Sequence, residues 1–280
     1  MIRTRRAAPA GIAMLSLLTL AACSGGGDSS AGGSDDGLGL VSAGTLTVCA
    51  NLETPPNIFA EEDGTPAGVE VEIAQDMADE LGLEIEFKEV NFAGLIPALQ
   101  AKQCDTIISS LYIKPEREEI ANFVPYLRSG SGVAVSKENP KNITGYDDTL
   151  CGVRAIGITG ATGASLLEEK SAECEADGLD AIEITLTDKA ADALQQVIAG
   201  QADAFMDTSE LVGYYEKQSD GEFVRAGEAV GEIEIGAASL KQNEALHAAL
   251  QEAFDAVVAD GRYGDILSEW GFETLDITEA

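Results

Sequence analysis

The spacing of apolar residues along the chain switches repeatedly between the period of a strand and the period of a helix. Residues 46–48 predict a short strand, and apolar residues recur at helical spacing over residues 69–81. Residues 83–87 then alternate with acids, which predicts a second strand, and residues 105–109 predict a buried third. Strands that alternate with helices predict an α/β fold with a mostly parallel sheet, whose ligand sites lie beyond the carboxyl ends of the strands.

A second α/β series follows residues 130–132. The patterns predict strands near residues 151–158, 181–186 and 204–206, helices near 165–176 and 190–199, and a long amphipathic helix over 246–258. The length of 280 residues suits one large α/β domain or two domains of ordinary size. No repeat of about 20 to 50 residues is visible, which disfavours solenoids and propellers. Two α/β lobes fit these patterns best.

The N-terminus has the features of an export signal. Arg3, Arg5 and Arg6 precede an apolar run over residues 7–22, which is shorter than the roughly 20 apolar residues of a membrane-spanning helix. The run ends in the letters LAAC, which resemble the lipobox of bacterial lipoproteins, and the alternative is an ordinary cleavage site with a chance cysteine nearby. We therefore predict a lipoprotein signal peptide over residues 1–22 and lipidation, typically with palmitate, of Cys23.

Behind Cys23, residues 24–37 are rich in Gly, Ser and Asp and contain no side chain that could seed a core. Such a segment predicts a flexible tether, here over residues 23–43, with a reach of about 20 Å by coil scaling. The protein is then expected on the extracytoplasmic face of a cell membrane and attached to it through its lipid alone. The sequence leaves open which membrane carries the anchor.

The charge of the chain argues against one class of partner. Its 49 acidic and 17 basic residues give a net charge of −32, and removal of residues 1–22 would take away three arginines and no acid. Binding of a phosphate backbone requires clustered Lys and Arg, so we expect no nucleic-acid partner. Positive charge is scarce in the remaining chain, which makes each arginine informative.

The cysteines indicate disulfides. Cys49, Cys104, Cys151 and Cys174 are left when Cys23 is set aside, an even number in a chain with an export signal. The residues alone permit three pairings. A zinc site is not expected because none of the spacings is C-x₂-C and the single histidine lies far away in sequence. We predict neither a metal nor a cofactor.

Arg117 follows a predicted buried strand closely and is a candidate ligand-binding residue. A guanidinium at the carboxyl end of a strand can form a bidentate pair with a carboxylate, and Ser110 can add a hydroxyl donor. The alternative is an exposed salt bridge with Glu116 or Glu118.

Three other positions could contact a ligand. Residues 157–163 lie between a predicted strand and a predicted helix, where free backbone N–H groups can hold an anion, and Thr162 could act there as a helix cap or as a hydroxyl donor. Asp207 ends a strand-like segment and could meet an ammonium group, while Phe92 could stack on a ligand or belong to the core. The chain has one histidine and no G-x-S-x-G or H-E-x-x-H motif, so we do not expect an enzyme.

Taken together, these segments resemble the polar amino-acid-binding family of bacterial ABC-transporter solute-binding proteins, also called solute-binding protein family 3. The resemblance covers about residues 44–271. It rests on GVEVE at residues 68–72, GLIPAL at 94–99, IISS at 107–110 with PER at 115–117, GAT at 160–162, and ADGRYGDI at 259–266 followed by Trp270.

This resemblance implies the type II periplasmic-binding-protein fold, in which two crossing strands join two lobes that close over a ligand. Each lobe would be a mixed sheet flanked by helices. Lobe 1 would combine residues 44–133 with 238–280, and lobe 2 would cover residues 134–237. The implied function is capture of an amino acid or similar small zwitterion by a monomer that delivers it to an ABC permease. The alternatives are a ligand-binding sensor or surface module, and a dehydratase or lyase on the same fold.

The resemblance also implies roles for single residues. Arg117, Ser110 and Thr162 would hold the ligand carboxylate, Asp207 would take the α-ammonium, and Phe92 would wall the pocket. In similar lipoproteins, cysteines at matching positions imply the pairs Cys49–Cys104 and Cys151–Cys174.

Some positions depart from the family pattern. Asn51 stands where an acid is often found, Thr54 where many members have an aromatic residue, and Tyr112 where a small hydroxyl residue is usual. We expect these three residues in the pocket wall, with Tyr112 supplying the aromatic surface lost at Thr54, and a pocket unlike those that select basic amino acids. The spacing from Asp203 to Asp207 is one residue shorter than the commonest spacing in the family, so either Asp207 or Thr208 could stand at the position that binds the ligand amine.

Overall fold

The computed structural model describes residues 37–278, so the predicted leader, Cys23 and most of the predicted tether lie outside the described residues. The strands are β1 (Thr45–Ala50), β2 (Glu53–Thr54), β3 (Ile58–Ala60), β4 (Pro66–Ala67), β5 (Glu84–Glu89), β6 (Thr106–Ile107), β7 (Ala121–Ser136), β8 (Arg154–Ile158), β9 (Glu183–Thr187), β10 (Ala204–Thr208) and β11 (Phe223–Leu240). The α-helices are α1 (Val69–Glu80), α2 (Leu95–Gln100), α3 (Pro115–Glu118), α4 (Thr162–Ala176), α5 (Ala190–Ile198), α6 (Ser209–Gln218), α7 (Glu244–Ala259) and α8 (Arg262–Trp270). Short 3₁₀ turns span Phe92–Gly94, Asp148–Leu150 and Glu273–Leu275.

Two long antiparallel strands, β7 and β11, run through the middle of the main sheet. Within the described residues this sheet has eight strands in the order β5-β1-β6-β11-β7-β10-β8-β9. We call β5, β1 and β6 the first half-sheet, β10, β8 and β9 the second half-sheet, and the β7–β11 pair the ribbon. Pairing is parallel inside each half-sheet, whereas β6 and β10 pair antiparallel with the ribbon. The sheet is therefore mixed, as the family resemblance implied, and not mostly parallel as the alternation of strands and helices alone suggested.

Helices cover both faces of each half-sheet, so each half-sheet has its own cores. Beside the first half-sheet, α1, α7 and α8 enclose Ile73, Met77 and Leu250, while α2 packs Leu95 and Leu99 on the other face. Beside the second half-sheet, one core lies under α5 and α6 and contains Phe205, and another lies under α4 and contains Leu167. Burial of each such side chain contributes about 1.5–3 kcal/mol.

The strand predicted over residues 105–109 is shorter in the structure. Only Thr106 and Ile107 pair as β6. Asp105 instead accepts the backbone N–H groups of Val41 and Thr47, at 2.7 and 2.8 Å. Ser110 has a positive φ of 48°, which turns the chain away from the sheet.

Two further boundaries differ from the sequence patterns. The strand predicted from residue 151 begins at Arg154, because a 3₁₀ turn ends at Leu150 and Gly152 has a φ of 72°. The helix predicted from residue 165 begins at Thr162. The other predicted helices and strands are confirmed within a few residues of their ends.

Both predicted disulfides are confirmed. Cys49 pairs with Cys104 at a Cα–Cα distance of 5.6 Å, and Cys151 pairs with Cys174 at 5.7 Å. The first bond joins β1 to the segment before β6, and the second joins α4 to the turn before β8. Over residues 37–278, no helix combines the length and the apolar character needed to cross a bilayer.

Candidate functional site

A pocket lies between the first and second half-sheets, at the carboxyl ends of parallel strands. Residues at or after the ends of strands in each half-sheet line the pocket, and the ribbon adds Ser131 of β7. The lining residues are Asn51, Glu53, Thr54, Phe92, Ser110, Tyr112, Ser131, Ile158, Ala161, Thr162, Gly163, Asp188, Ala190, Asp207 and Thr208. The structure thus brings together every predicted ligand-contacting residue except Arg117, which lies directly behind this lining.

Arg117 is held by contacts with both sides of the pocket. Its Nη1 donates to the carbonyl of Tyr112 at 2.8 Å, and its Nη2 donates to the carbonyl of Gly160, beyond β8, at 3.2 Å. The guanidinium carbon lies 5.6 Å from the ring centroid of Phe92, within the range of a cation–π contact. These contacts fix the direction of the guanidinium.

The environment of Arg117 differs from that of a surface salt bridge. The residue is only 9% exposed, and burial lowers the pKa of its guanidinium. Among the described residues it forms no ion pair with Glu116 or Glu118, so the alternative suggested by the sequence is not observed. A buried arginine without a carboxylate partner retains the capacity to bind an anion.

Ser110 is positioned by Glu70, a residue that the sequence patterns did not single out. The Ser110 N–H lies 2.8 and 2.9 Å from the two carboxylate oxygens of Glu70, and its hydroxyl lies 3.2 Å from Oε1. Tyr126 also donates to Oε1, at 2.9 Å. Glu70 is fully buried, and burial raises the pKa of its carboxyl to about 7.

A signal for Glu70 was present in the sequence. Glu70 stands three, four and seven residues before Ile73, Ala74 and Met77, so it lies on the buried face of α1. An acid in line with apolar positions at helical spacing indicates a buried carboxylate that needs hydrogen-bond donors.

The glycine-rich segment places the N-terminus of α4 against the pocket. Ala161, Thr162 and Gly163 all line it, and the helix has no side-chain cap. The Thr162 hydroxyl makes no hydrogen bond with another described residue. A Cβ at Gly163 would lie 2.2 Å from the carbonyl oxygen of Met206, so only glycine permits this close approach of α4 to β10.

Asp207 and Thr208 both line the pocket, but their side chains are engaged differently. Oδ1 of Asp207 accepts the backbone N–H of Thr208 at 2.7 Å, whereas Oδ2 has no hydrogen-bond partner among the described residues. The Thr208 hydroxyl caps α6 by accepting the N–H of Leu211 at 3.4 Å. Burial raises the pKa of Asp207 to about 7, with the nearby charge of Glu210 adding to the shift.

The hydroxyl of Tyr112 is directed toward the ribbon. It lies 2.8 Å from the carbonyl oxygen of Gly130 and 3.1 Å from the hydroxyl of Ser129, which in turn donates to Glu210 at 2.6 Å. Because these contacts occupy the hydroxyl, the ring of Tyr112 is the part available to a ligand. Glu210 is a half-buried acid that the sequence patterns did not single out, and desolvation raises its pKa.

Asn51 and Thr54 follow β1 and line the opposite side of the pocket from Asp207. Asn51 is 7% exposed; its backbone N–H donates to Ser109 at 2.8 Å, and its side-chain amide has no partner among the described residues. Glu53, which lies between them in the chain, forms an ion pair with Lys189 at 2.8 Å. Glu53 and Asp188 line the pocket although the sequence patterns singled out neither.

Comparison with known families identifies the type of protein. Residues 46–274 match the family model described as bacterial extracellular solute-binding proteins, family 3. The chain belongs to this family. It is therefore a bacterial extracellular solute-binding protein, as the sequence motifs predicted.

Relatives of this family-3 protein cover most of its length. The arginine-binding protein ArgT of Corynebacterium glutamicum is 30% identical over 244 residues, which cover 86% of this chain and 79% of the relative. The L-cystine-binding protein TcyJ of Escherichia coli K12 is 31% identical over 229 residues, which cover 81% and 82%.

Solved structures agree with this assignment. The structure of an ancestral arginine-binding protein bound to arginine superposes with a TM-score of 0.74 at 28% identity, covering 81% of this chain and 98% of that one. The family-3 protein therefore has the predicted α/β fold of type II periplasmic binding proteins, in which the ribbon provides the two crossing strands.

Proposed function

We propose that this family-3 protein is a lipid-anchored, extracytoplasmic binding protein that captures an amino acid and delivers it to an ABC permease. The observation that carries the proposal is the pair of opposite charges at one pocket. Arg117 adjoins it from the side of the first half-sheet, and Asp207 lines it from the second. An α-amino acid carries one group complementary to each. The named relatives that bind arginine and L-cystine support an amino acid as the ligand.

The ligand carboxylate would lie between Arg117 and the N-terminus of α4. Arg117 supplies a charged donor, and the Thr162 hydroxyl and backbone supply neutral ones from the opposite side. Ser110 would contribute by turning its hydroxyl from Glu70 toward the ligand. This arrangement explains why a buried guanidinium is left without an acidic partner.

The ligand ammonium would bind Asp207 rather than Thr208. The free Oδ2 of Asp207 supports this assignment, as does the use of the Thr208 hydroxyl as a helix cap. Phe92, Tyr112, Asn51 and Thr54 would form the walls around the ligand side chain. A buried carboxylate whose pKa is raised gains a partner when an ammonium group arrives.

Capture would involve closure of two lobes, residues 44–133 with 238–280 and residues 134–237. The Arg117–Gly160 hydrogen bond and the Glu53–Lys189 ion pair both join these segments. Ligand contacts made by both lobes would favour the closed form, because a ligand shifts a conformational equilibrium by its differential affinity.

A thermal-shift assay on the mature protein tests the proposal. After refolding from denaturant to remove retained ligand, an amino acid at 100 times its Kd should stabilise the protein by about 2.7 kcal/mol. Arg117→Ala should abolish this shift, whereas Arg225→Ala, which removes an exposed guanidinium on β11, should retain it. Absence of a shift with every amino acid, opine and compatible solute would overturn the proposal.

The anchor and the transport role need their own experiments. Cells grown with a labelled palmitate analogue should incorporate it into the wild-type protein and not into Cys23→Ser. Cells that lack the protein should lose uptake of the amino acid that gives the thermal shift. Binding without any loss of uptake would favour a sensor, and turnover of the bound compound would favour a dehydratase or lyase.

A further inference from the structure

Negative charge predominates around the pocket. Glu53, Asp188 and Asp207 line it, while the lining residues include no Lys, Arg or His. Arg117 lies behind the lining, and Lys189 reaches its edge through Glu53. The charged groups at the pocket are therefore three carboxylates and two cations.

A ligand with one carboxylate and one ammonium group would leave the charges at the pocket with one unpaired carboxylate. In the proposed function, Arg117 pairs with the ligand carboxylate and Asp207 with the ligand ammonium, which leaves Glu53 and Asp188 opposite Lys189. The Lys189 side chain is 60% exposed and touches one oxygen of Glu53, whereas the Glu53 side chain is 26% exposed. The Asp188 carboxylate has no ion pair and no hydrogen bond with another residue of the described chain.

Asn51 provides a second observation at the same end of the pocket. Its side chain lines the pocket and lacks a partner, although the residue is more than nine-tenths buried. A buried amide without a partner costs free energy unless a ligand satisfies it. The side-chain carbonyl oxygen of Asn51 can accept a hydrogen bond from a cationic ligand group. Asn51 stands two residues before Glu53 in the chain.

These residues change an expectation drawn from the sequence. The departures from the family pattern at Asn51, Thr54 and Tyr112 predicted a pocket unlike those that select basic amino acids. In the structure, Glu53 and Asp188 place negative charge at this end of the pocket from two different elements, β2 and the turn before α5.

We infer that the captured amino acid carries a second positive charge on its side chain, and that Glu53 and Asp188 receive this charge beside the amide of Asn51. The inference rests on the proposed function and specifies the ligand class for the same pocket. Glu53 and Asp188 thereby determine specificity, while Arg117 and Asp207 hold the groups common to all α-amino acids.

Calorimetric titration with matched ligand pairs tests the inference. L-arginine is compared with L-citrulline, its neutral counterpart, and L-lysine with L-norleucine. In at least one pair the cationic member should bind at least tenfold more tightly. The preference should shrink as salt is raised from about 0.01 to 0.15 M, because the Debye length falls from roughly 30 to 8 Å.

Variants separate this subsite from the general field of an acidic protein. The double variant Glu53→Gln, Asp188→Asn should reduce the cationic preference to less than threefold. A matched double variant, Glu175→Gln with Asp177→Asn, removes two exposed acids at the far end of α4 and should keep the preference. Lys189→Met should preserve or increase it, since the lysine competes for Glu53.

The outcomes distinguish the two proposals. If no amino acid binds, the proposed function itself fails. If neutral members bind as tightly as cationic ones, amino-acid capture stands and the charge inference is overturned. Equal loss of preference in both double variants would also overturn it, because the preference would then come from net charge. Lys189→Met and the double variant Glu53→Gln, Asp188→Asn could also weaken the binding of cationic and neutral ligands equally. That result would overturn the inference, because the Glu53–Lys189 ion pair would then act only in closure of the lobes.

Discussion

The carboxylate of Glu70 lies against the backbone of Ser110, with the Ser110 N–H 2.8 Å from Oε1 and 2.9 Å from Oε2. Ser110 adopts a left-handed conformation with a φ of 48°, which a residue other than glycine rarely does without support. Glu70 supplies that support from α1. The turn that follows β6, and with it one wall of the pocket, is thus fixed by a buried acid.

We expect Glu70→Ala to destabilise the ligand-free protein by about 3 kcal/mol or more. It would leave the Ser110 N–H, the Ser110 hydroxyl and the Tyr126 hydroxyl without an acceptor, and each unsatisfied buried donor costs about 1–3 kcal/mol. Glu70→Gln should cost less because it keeps one acceptor oxygen. Urea unfolding measures both, and a loss below about 1 kcal/mol for Glu70→Ala would contradict the assigned role.

Gly163→Ala should destabilise the protein although alanine is the better helix former. The added methyl group would lie 2.2 Å from the Met206 carbonyl oxygen, so α4 would have to move away from β10. Gly213→Ala in α6 is the matched control, because its added methyl group would have nothing within 4 Å. We expect the control to gain about 0.5–1 kcal/mol and Gly163→Ala to lose at least 1–3 kcal/mol, both by denaturant unfolding.

If Gly163→Ala proved as stable as the control, the close contact between α4 and β10 would not limit the fold. Ligand affinity provides a second readout, since Thr162 and Ala161 line the pocket beside Gly163. A shift of α4 should weaken binding in Gly163→Ala and leave Gly213→Ala unaffected.

Apolar periodicity predicted the helices and the inner strands because their burial is regular. In α1 and α7 the buried residues recur every three or four positions. In β1, five consecutive residues are buried, which is typical of a strand covered on both faces. Local patterns of this kind need no knowledge of the partner segments.

Apolar periodicity did not predict the β7–β11 ribbon clearly. Much of β11 is exposed from Gly227 to Glu234, and its register against β7 shifts near Val230 and Ile233. Strands with mixed burial give no clear alternation, so only the family resemblance implied two crossings. The pairing itself depends on contacts between residues about 100 positions apart, which no local pattern reports.

For the site, the sequence predicted residues whose chemistry stands out at strand ends, such as Arg117 and Asp207. It did not single out Glu53 and Asp188, since two acids among 49 carry little information. Their proximity comes from the way β2 and the segment before α5 meet across the pocket. Such proximity arises only from the tertiary fold.

Ligand affinity should fall as pH decreases below about 7. Burial raises the pKa of Asp207 to about 7 in the free protein, and an ammonium ligand would lower it. Below the free pKa, the ligand must displace a proton, so affinity should drop by up to about tenfold per pH unit. Calorimetry between about pH 5.5 and about 8.5 checks this, and the Asp207→Asn variant should bind weakly with a flatter profile.

The stability of the ligand-free protein should depend on pH in the opposite direction and fall as pH rises. Glu70 and Asp207 have pKa values raised from the ordinary 4.5 and 3.8 to about 7, so the folded state holds protons that the unfolded state releases. Their contribution to stability is fully present below about pH 4 and is lost as pH rises through about 7. Comparison of wild type with Asp207→Asn by thermal unfolding isolates one of the two groups, and an identical profile for both proteins would contradict the assignment.

Removal of the two disulfides should destabilise the protein by different amounts. The Cys49–Cys104 bond spans 55 positions and the Cys151–Cys174 bond spans 23, so chain entropy assigns them about 4 and about 3 kcal/mol respectively. Burial increases the difference, because Cys49 and Cys104 are both buried in the core that contains Leu95 and Leu99, whereas in the second pair Cys174 is buried and Cys151 is only half-buried. Urea unfolding should therefore show that the double variant Cys49→Ala, Cys104→Ala is less stable than the double variant Cys151→Ala, Cys174→Ala. The reverse order would mean that local packing of α4 against the turn before β8, rather than loop length and burial, determines what each bond contributes.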